Sequence, residues 1–197
     1  MTSKKIYILN GHPALNSLNR TLASAYADAA REAGHEVRIT HLHDLEFDVD
    51  YGHNGYDNIK PLEPVLEQVM EDIEWGEHMV LVTPMWWGSI PAKLKGVFDR
   101  AFLPGRAFDT RNTNSFGMPA PMLTGRTARV IMTSDTPGWI MRWVYNNAAL
   151  VQLKSQILGF VGMKPVCATH ISGASHPKTG EVDKWIGRVK RYAREAT

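Results

Sequence analysis

Three short stretches of this chain hold more chemistry than a turn requires. The first, "NGHPALNSLN" at residues 10–19, joins an apolar run to a helical one. Unpaired backbone N–H groups and the positive dipole end at such a helix start attract an anion. Ser17 and Asn19 can add side-chain bonds to phosphate oxygens, and His12 can donate beside them. The plainer reading is that Asn16 or Ser17 simply caps the helix and that His12 is a packed or solvated residue. The second stretch, "PMWWGSIP" at residues 84–91, sets Trp86 beside Trp87. Aromatic faces with nearby backbone N–H groups suit a flat heterocycle, whereas the competing reading makes both tryptophans core or dimer-interface residues. The third, "SDTPGW" at residues 134–139, is polar and follows another apolar run.

These stretches need a scaffold that brings them to one place. Short β-rich runs occur at residues 5–9, 36–42, 79–83, 129–133 and 166–171, with helical patterns at 19–33, 62–73, 92–102, 143–161 and 182–194. The alternation predicts an α/β chain built on a five-stranded parallel sheet in the order 2-1-3-4-5, because parallel strands need long right-handed crossovers that place helices on both faces. Ligands of such sheets sit at the carboxyl ends of the strands near the switch in strand order. The three stretches follow the first, third and fourth expected strands, so they converge on that edge.

Composition removes other classes. The 197 residues, 44% hydrophobic and without an apolar run long enough to cross a bilayer, predict one domain over 1–197 with no stable membrane insertion. A formal charge of +2 makes nucleic acid a poor default partner, and the basic pattern near the C-terminus reads as a solvated helix. The one cysteine, Cys167, excludes an internal disulfide and a thiolate metal cluster, and it is expected as a buried thiol. The opening "KKIYILNGHP" enters a strand pattern at once, so a cytoplasmic location is expected. His41, His43, Asp44, Asp48, Asp50 and His53 form a set of possible ligands whose spacing matches no metal motif, and no metal is expected. Neither a Walker A pattern nor G-x-G-x-x-G is present at the first loop, which argues against a nucleotide triphosphatase or a conventional dehydrogenase. Arg100, in the helix after the tryptophans, is expected in solvent.

The residues "ILNGHP", "NSLNR" and "PMWWGSIPAKLKGVFDRAF" resemble the NAD(P)H:quinone oxidoreductase family of flavodoxin-like flavoproteins. The resemblance implies a three-layer flavodoxin-like sandwich and a homodimer with flavin sites at its interface. It also implies ping-pong reduction of a quinone-like acceptor by NAD(P)H. Carried over by position, it assigns His12, Ser17, Leu18 and Asn19 to the flavin phosphate or ribityl chain, and Pro84, Met85, Trp86, Trp87 and Gly88 to the isoalloxazine ring. Thr133, Ser134, Asp135 and Thr136 take the place of the third flavin loop, although they depart from its glycine-rich form. Tyr145 is the counterpart of a family tyrosine that stabilises charge on the reduced ring, and Trp87 and Trp139 are candidates for the substrate wall. No histidine lies between His78 and His170, so the family's histidine relay does not transfer. The implied cofactor is FAD, with FMN as the alternative. Because the family also contains ancillary proteins, a redox-sensing subunit that binds flavin and nucleotide stands as the second reading.

Overall fold

A computed structural model describes residues 3–51 and 60–197. Strands β1 (Lys5–Asn10), β2 (Glu36–His41), β3 (His78–Pro84), β6 (Thr127–Ser134) and β7 (Val166–Ser172) form one parallel sheet in the order β2-β1-β3-β6-β7. Counted among the parallel strands alone, this is the expected order. Helices α1 (Leu18–Glu32) and α6 (Glu181–Glu195) cover one face. Helices α2 (Pro64–Trp75) and α3 (Ala92–Ala101) cover the other, with α5 (Ala148–Val151) and the π-helical segment Gln152–Leu158 that continues it. β3, buried at every position, is sandwiched between both layers and reads as a continuous apolar run, as central parallel strands do. The edge strands β2 and β7 are largely half-buried, Cys167 on β7 among them.

Local sequence explains where the elements begin and end. Ser17 caps α1, its Oγ accepting from Arg20 N at 3.2 Å, and Gly34 closes the same helix with φ 87°. Pro64 occupies the first turn of α2, where a missing N–H costs nothing. The basic amphipathic pattern near the C-terminus forms α6, which buries Trp185, Val189 and Ala193. Among the described residues no helix is long and apolar enough to cross a membrane.

Three expectations need correction. The helical pattern at 143–161 is not one helix: α4 (Gly138–Trp143) stops early, and Asn146 and Asn147, at φ 49° and 53°, turn the chain into α5. Asparagine tolerates this left-handed region, so two in succession break a helix that the apolar spacing alone would continue. A small antiparallel ribbon, β4 (Phe108–Thr113) with β5 (Pro119–Pro121), interrupts the crossover from β3 to β6 and has no counterpart among the expected strands. Arg100 is not in solvent but 1% exposed. Its guanidinium donates to Glu63 Oε1 and Oε2 at 3.2 and 2.9 Å and to the carbonyls of Asp48 and Pro61, so it ties together the two arms of the segment between β2 and α2.

Candidate functional site

Hydrogen bonds to neighbouring elements hold the start of the first loop in place. Gly11 N donates to Val82 O at 2.8 Å, and a Cβ on Gly11 would lie 2.5 Å from Leu94 Cδ2, so glycine lets β1 leave the sheet against α3. Asn10 Nδ2 donates to His41 Nδ1 at 3.2 Å while its Oδ1 accepts from His12 N at 3.3 Å. His43 Nδ1 donates to Pro13 O at 3.0 Å. Two members of the possible metal set are thus engaged with this loop; among the described residues no group of three or more ligating side chains could hold an ion, and His53 lies outside them.

His12 has its Nδ1 occupied by Ala14 N at 3.0 Å, so in the neutral ring Nε2 carries the hydrogen. Burial holds this imidazole below the usual histidine range, opposed by the backbone bond from Ala14. Its ring meets Trp86 edge to face, with centroids 5.5 Å apart. Asn19, 3% exposed in the first turn of α1, accepts from Thr133 Oγ1 at 3.0 Å, yet its Nδ2 is buried without a partner. An orphaned amide donor beside a helix N-terminus is costly in isolation and is satisfied by an anion.

The second loop is a tight turn. Trp86 and Ser89 exchange backbone hydrogen bonds of 2.8 and 3.0 Å, and the two residues between them, Trp87 and Gly88, have φ 51° and 76°. The turn is pinned at both ends, by Met85 N to Thr133 O at 2.8 Å and by Ser89 Oγ to Gln152 Oε1 at 3.0 Å. Trp87 projects from it fully exposed. In the third loop Ser134 Oγ accepts from Thr136 N at 3.2 Å and lies 2.8 Å from His170 Nε2. The Asp135 carboxylate accepts from Ser175 N and Oγ at 2.8 and 2.7 Å, bonds that keep it below the usual carboxylate range and ionised at neutral pH.

The loops enclose two adjoining hollows. The smaller, about 230 Å3, is lined by His12, Asn16, Ser17, Leu18, Asn19, Pro84, Met85, Trp86, Thr133, Ser134, Asp135, Ala174 and Ser175. The larger cleft, about 660 Å3, is lined by Met85, Trp87, Gly88, Ser134, Asp135, Thr136, Met141, Tyr145, Ala148 and Ala149. Met85, Ser134 and Asp135 belong to both. Apart from Trp139, every residue singled out in the three loops lines one hollow or the other, and Tyr145 joins the cleft. The paired tryptophans are divided: Trp86 walls the small hollow with His12, and Trp87 walls the cleft. Trp139, 64% exposed, lines neither. Ser175 and His170 were not among the expected residues. Their one sequence signal is position, since both lie at or just beyond the carboxyl end of β7, beside the third loop.

The flavodoxin-like fold family matches residues 4–192. This chain belongs to that family. An uncharacterized NAD(P)H oxidoreductase of Haemophilus influenzae is 30% identical over 116 residues, 56% of each chain. The chain spans a little over half the length of the first curated relatives it matches, at 56%, 58% and 57%. Among solved structures, the NAD(P)H:quinone oxidoreductase from Methanothermobacter marburgensis superposes with a TM-score of 0.83 over 98% of this chain and 97% of its own, at 23% identity. An FMN-dependent NADH-azoreductase from Bacillus anthracis, solved with FMN, gives 0.74 over 98% and 100% at 18% identity. At these identities the structural likeness speaks for the fold. The family resemblance carried by the "ILNGHP" and "PMWWGSIP" motifs agrees with the names of these proteins.

Proposed function

We propose that this chain is a flavin-dependent NAD(P)H oxidoreductase that reduces a quinone or a related two-electron acceptor. The observation that carries the reading is the meeting of three strand-end loops around a small polar hollow at the α1 N-terminus and a larger, partly aromatic cleft beside it. The unpaired Asn19 amide, Ser17 and the α1 N–H groups fit a phosphate, and the cleft fits a flat ring system. A flavin bound there would supply the hydride chemistry. The chain supplies position and field. His12 and Asn19 hold the anionic end, the Met85–Gly88 turn gives one edge of the ring site, and Trp87 with Tyr145 borders the open side of the cleft. A nicotinamide donor and an acceptor would use the open side of that cleft in turn, which is the basis for a ping-pong scheme.

FMN is the cofactor we assign, in place of the FAD that the motifs imply. The solved azoreductase neighbour binds FMN, and the small hollow of about 230 Å3 at the α1 N-terminus has room for a phosphate group. FAD is favoured by one feature, a polar depression beyond Ser17 that reaches Arg20 and Lys190. The mass of the flavin released by heat decides between them. A homodimer is supported by an apolar groove of about 700 Å3 lined by Phe98, Phe102, Phe108, Phe160 and Val161, and by Phe116, Trp143 and Val144, which stand exposed between β4 and β5 and at the end of α4. Sedimentation at micromolar concentration should give twice 22.1 kDa. The function itself is tested by titrating the folded protein with FMN and FAD and following NADH and NADPH oxidation with a quinone. Saturable flavin binding with parallel initial-velocity lines is expected. Absence of saturable binding overturns the proposal, and binding without turnover transfers the chain to the redox-sensing reading.

A further inference from the structure

We infer that His170 sets which way the Ser134 hydroxyl points, and so makes the third loop a proton-controlled hydrogen-bond donor to the ring bound in the cleft. The inference rests on the flavin reading above and adds to it a positioning residue.

The argument is a count of hydrogens and lone pairs. A serine hydroxyl has one hydrogen and accepts two bonds. One acceptor position of Ser134 Oγ is filled by Thr136 N at 3.2 Å, and His170 Nε2 lies 2.8 Å away on the strand beside it. In the neutral ring with hydrogen on Nδ1, Nε2 is an acceptor, and the Ser134 hydrogen is spent on it. In the imidazolium, Nε2 is a donor. Both acceptor positions of Oγ are then filled from within the protein, and the hydroxyl hydrogen turns away from His170 toward the hollows that Ser134 lines. There it meets an acceptor atom of the heterocycle. The neutral form samples both arrangements, whereas the protonated form allows one. Ser134 is 7% exposed, so solvent does not compete strongly for this hydrogen.

The surroundings leave His170 free to make this choice. Burial alone holds its imidazole below the usual histidine range, with no charge among the causes. Of the charged groups on the neighbouring elements, Asp135 is tied to Ser175, Arg142 of α4 stands over the Trp143 ring, and Arg129 of β6 lies over Tyr192. Lys154 of the π-helical segment and Lys184 and Arg188 of α6 are exposed. A histidine two residues from the end of β7 thus answers the absence of one after the third loop in sequence: it arrives from the adjacent strand instead.

The test uses riboflavin beside FMN, because a phosphate itself titrates near pH 6 and would mask the effect. Riboflavin affinity of the native protein should rise roughly fivefold as pH falls through the His170 titration, the worth of one neutral hydrogen bond. The dependence should vanish in Ser134→Ala and in His170→Phe and persist in Ser134→Thr, which keeps the hydroxyl. In the flavin-free protein, NMR of the 15N-labelled His170 ring should show a midpoint that moves on Ser134→Ala. A pH-flat native affinity, or a slope that survives His170→Phe, overturns the inference while leaving flavin binding intact. A native protein that binds neither flavin at any pH overturns the functional reading, and this inference with it.

Discussion

Trp87→Asn should separate the work of the tryptophan turn from the stability of the fold. Trp87 occupies the left-handed region at φ 51°, where a side chain other than glycine or asparagine costs roughly 1–2 kcal/mol. With Gly88 at φ 76° it forms the two central residues of a turn whose preferred sequence is Asn-Gly. Tryptophan is therefore a poor choice for the backbone, and with its side chain fully exposed it recovers nothing from burial. Asparagine relieves the strain and leaves both Trp86–Ser89 backbone bonds in place. The expected result is a gain of roughly 1 kcal/mol, or about 2–4 °C in Tm for a chain of this length. Loss of an aromatic wall should in turn weaken flavin affinity or kcat/KM by about 2- to 10-fold. Differential scanning calorimetry of the flavin-free protein, beside stopped-flow reduction of the loaded protein, reads both quantities. A variant that melts several degrees lower and reduces its flavin at the native rate refutes the reasoning and makes Trp87 scaffold. If that loss deepens on dilution, the side chain is buried between subunits.

Three further outcomes follow from buried groups. Asn19→Leu removes the orphaned donor at the small hollow, so FMN should lose affinity by about tenfold or more while riboflavin changes little; equal losses for both would show that Asn19 serves the fold. His78 is fully buried between Tyr26 OH at 3.3 Å and Thr127 Oγ1 at 2.6 Å. Burial, aided by Lys4, Arg129 and His35, pushes its pKa down to about 3 from 6.5. The unfolded chain then binds the extra proton first, so stability is full above pH 6.5 and falls as pH drops toward 3, by at most about 5 kcal/mol. Urea midpoints measured across that range should flatten in His78→Gln, and an unchanged slope would assign the acid loss to other groups. Arg100→Met leaves Glu63 and two carbonyls without their buried donor and should cost about 3 kcal/mol or more in urea unfolding, whereas a loss below about 1 kcal/mol would mean that water replaces the guanidinium.

The alternation of apolar strand and amphipathic helix was sufficient for the sheet and its order, because crossover handedness and burial of both faces leave few arrangements for such a pattern. The same rule sent the three loops to one edge, and they meet there. Local chemistry was also readable: Ser17 caps its helix, and glycine at position 11 permits a close approach. Periodicity failed at residues 143–161, since apolar spacing carries no record of the two left-handed asparagines that divide the segment.

What only the tertiary structure decided are relations between residues far apart in the chain. Arg100 looks like a solvent-facing charge on α3, and it is buried because Asp48, Pro61 and Glu63 come round to meet it. Trp86 and Trp87 are neighbours in sequence, and the turn between them sends one to His12 and the other to the cleft. His170 has no motif around it at all. Its pairing with Ser134 exists because β6 and β7 run side by side in register, and a side-chain hydrogen bond across 36 residues depends on that register rather than on any local pattern.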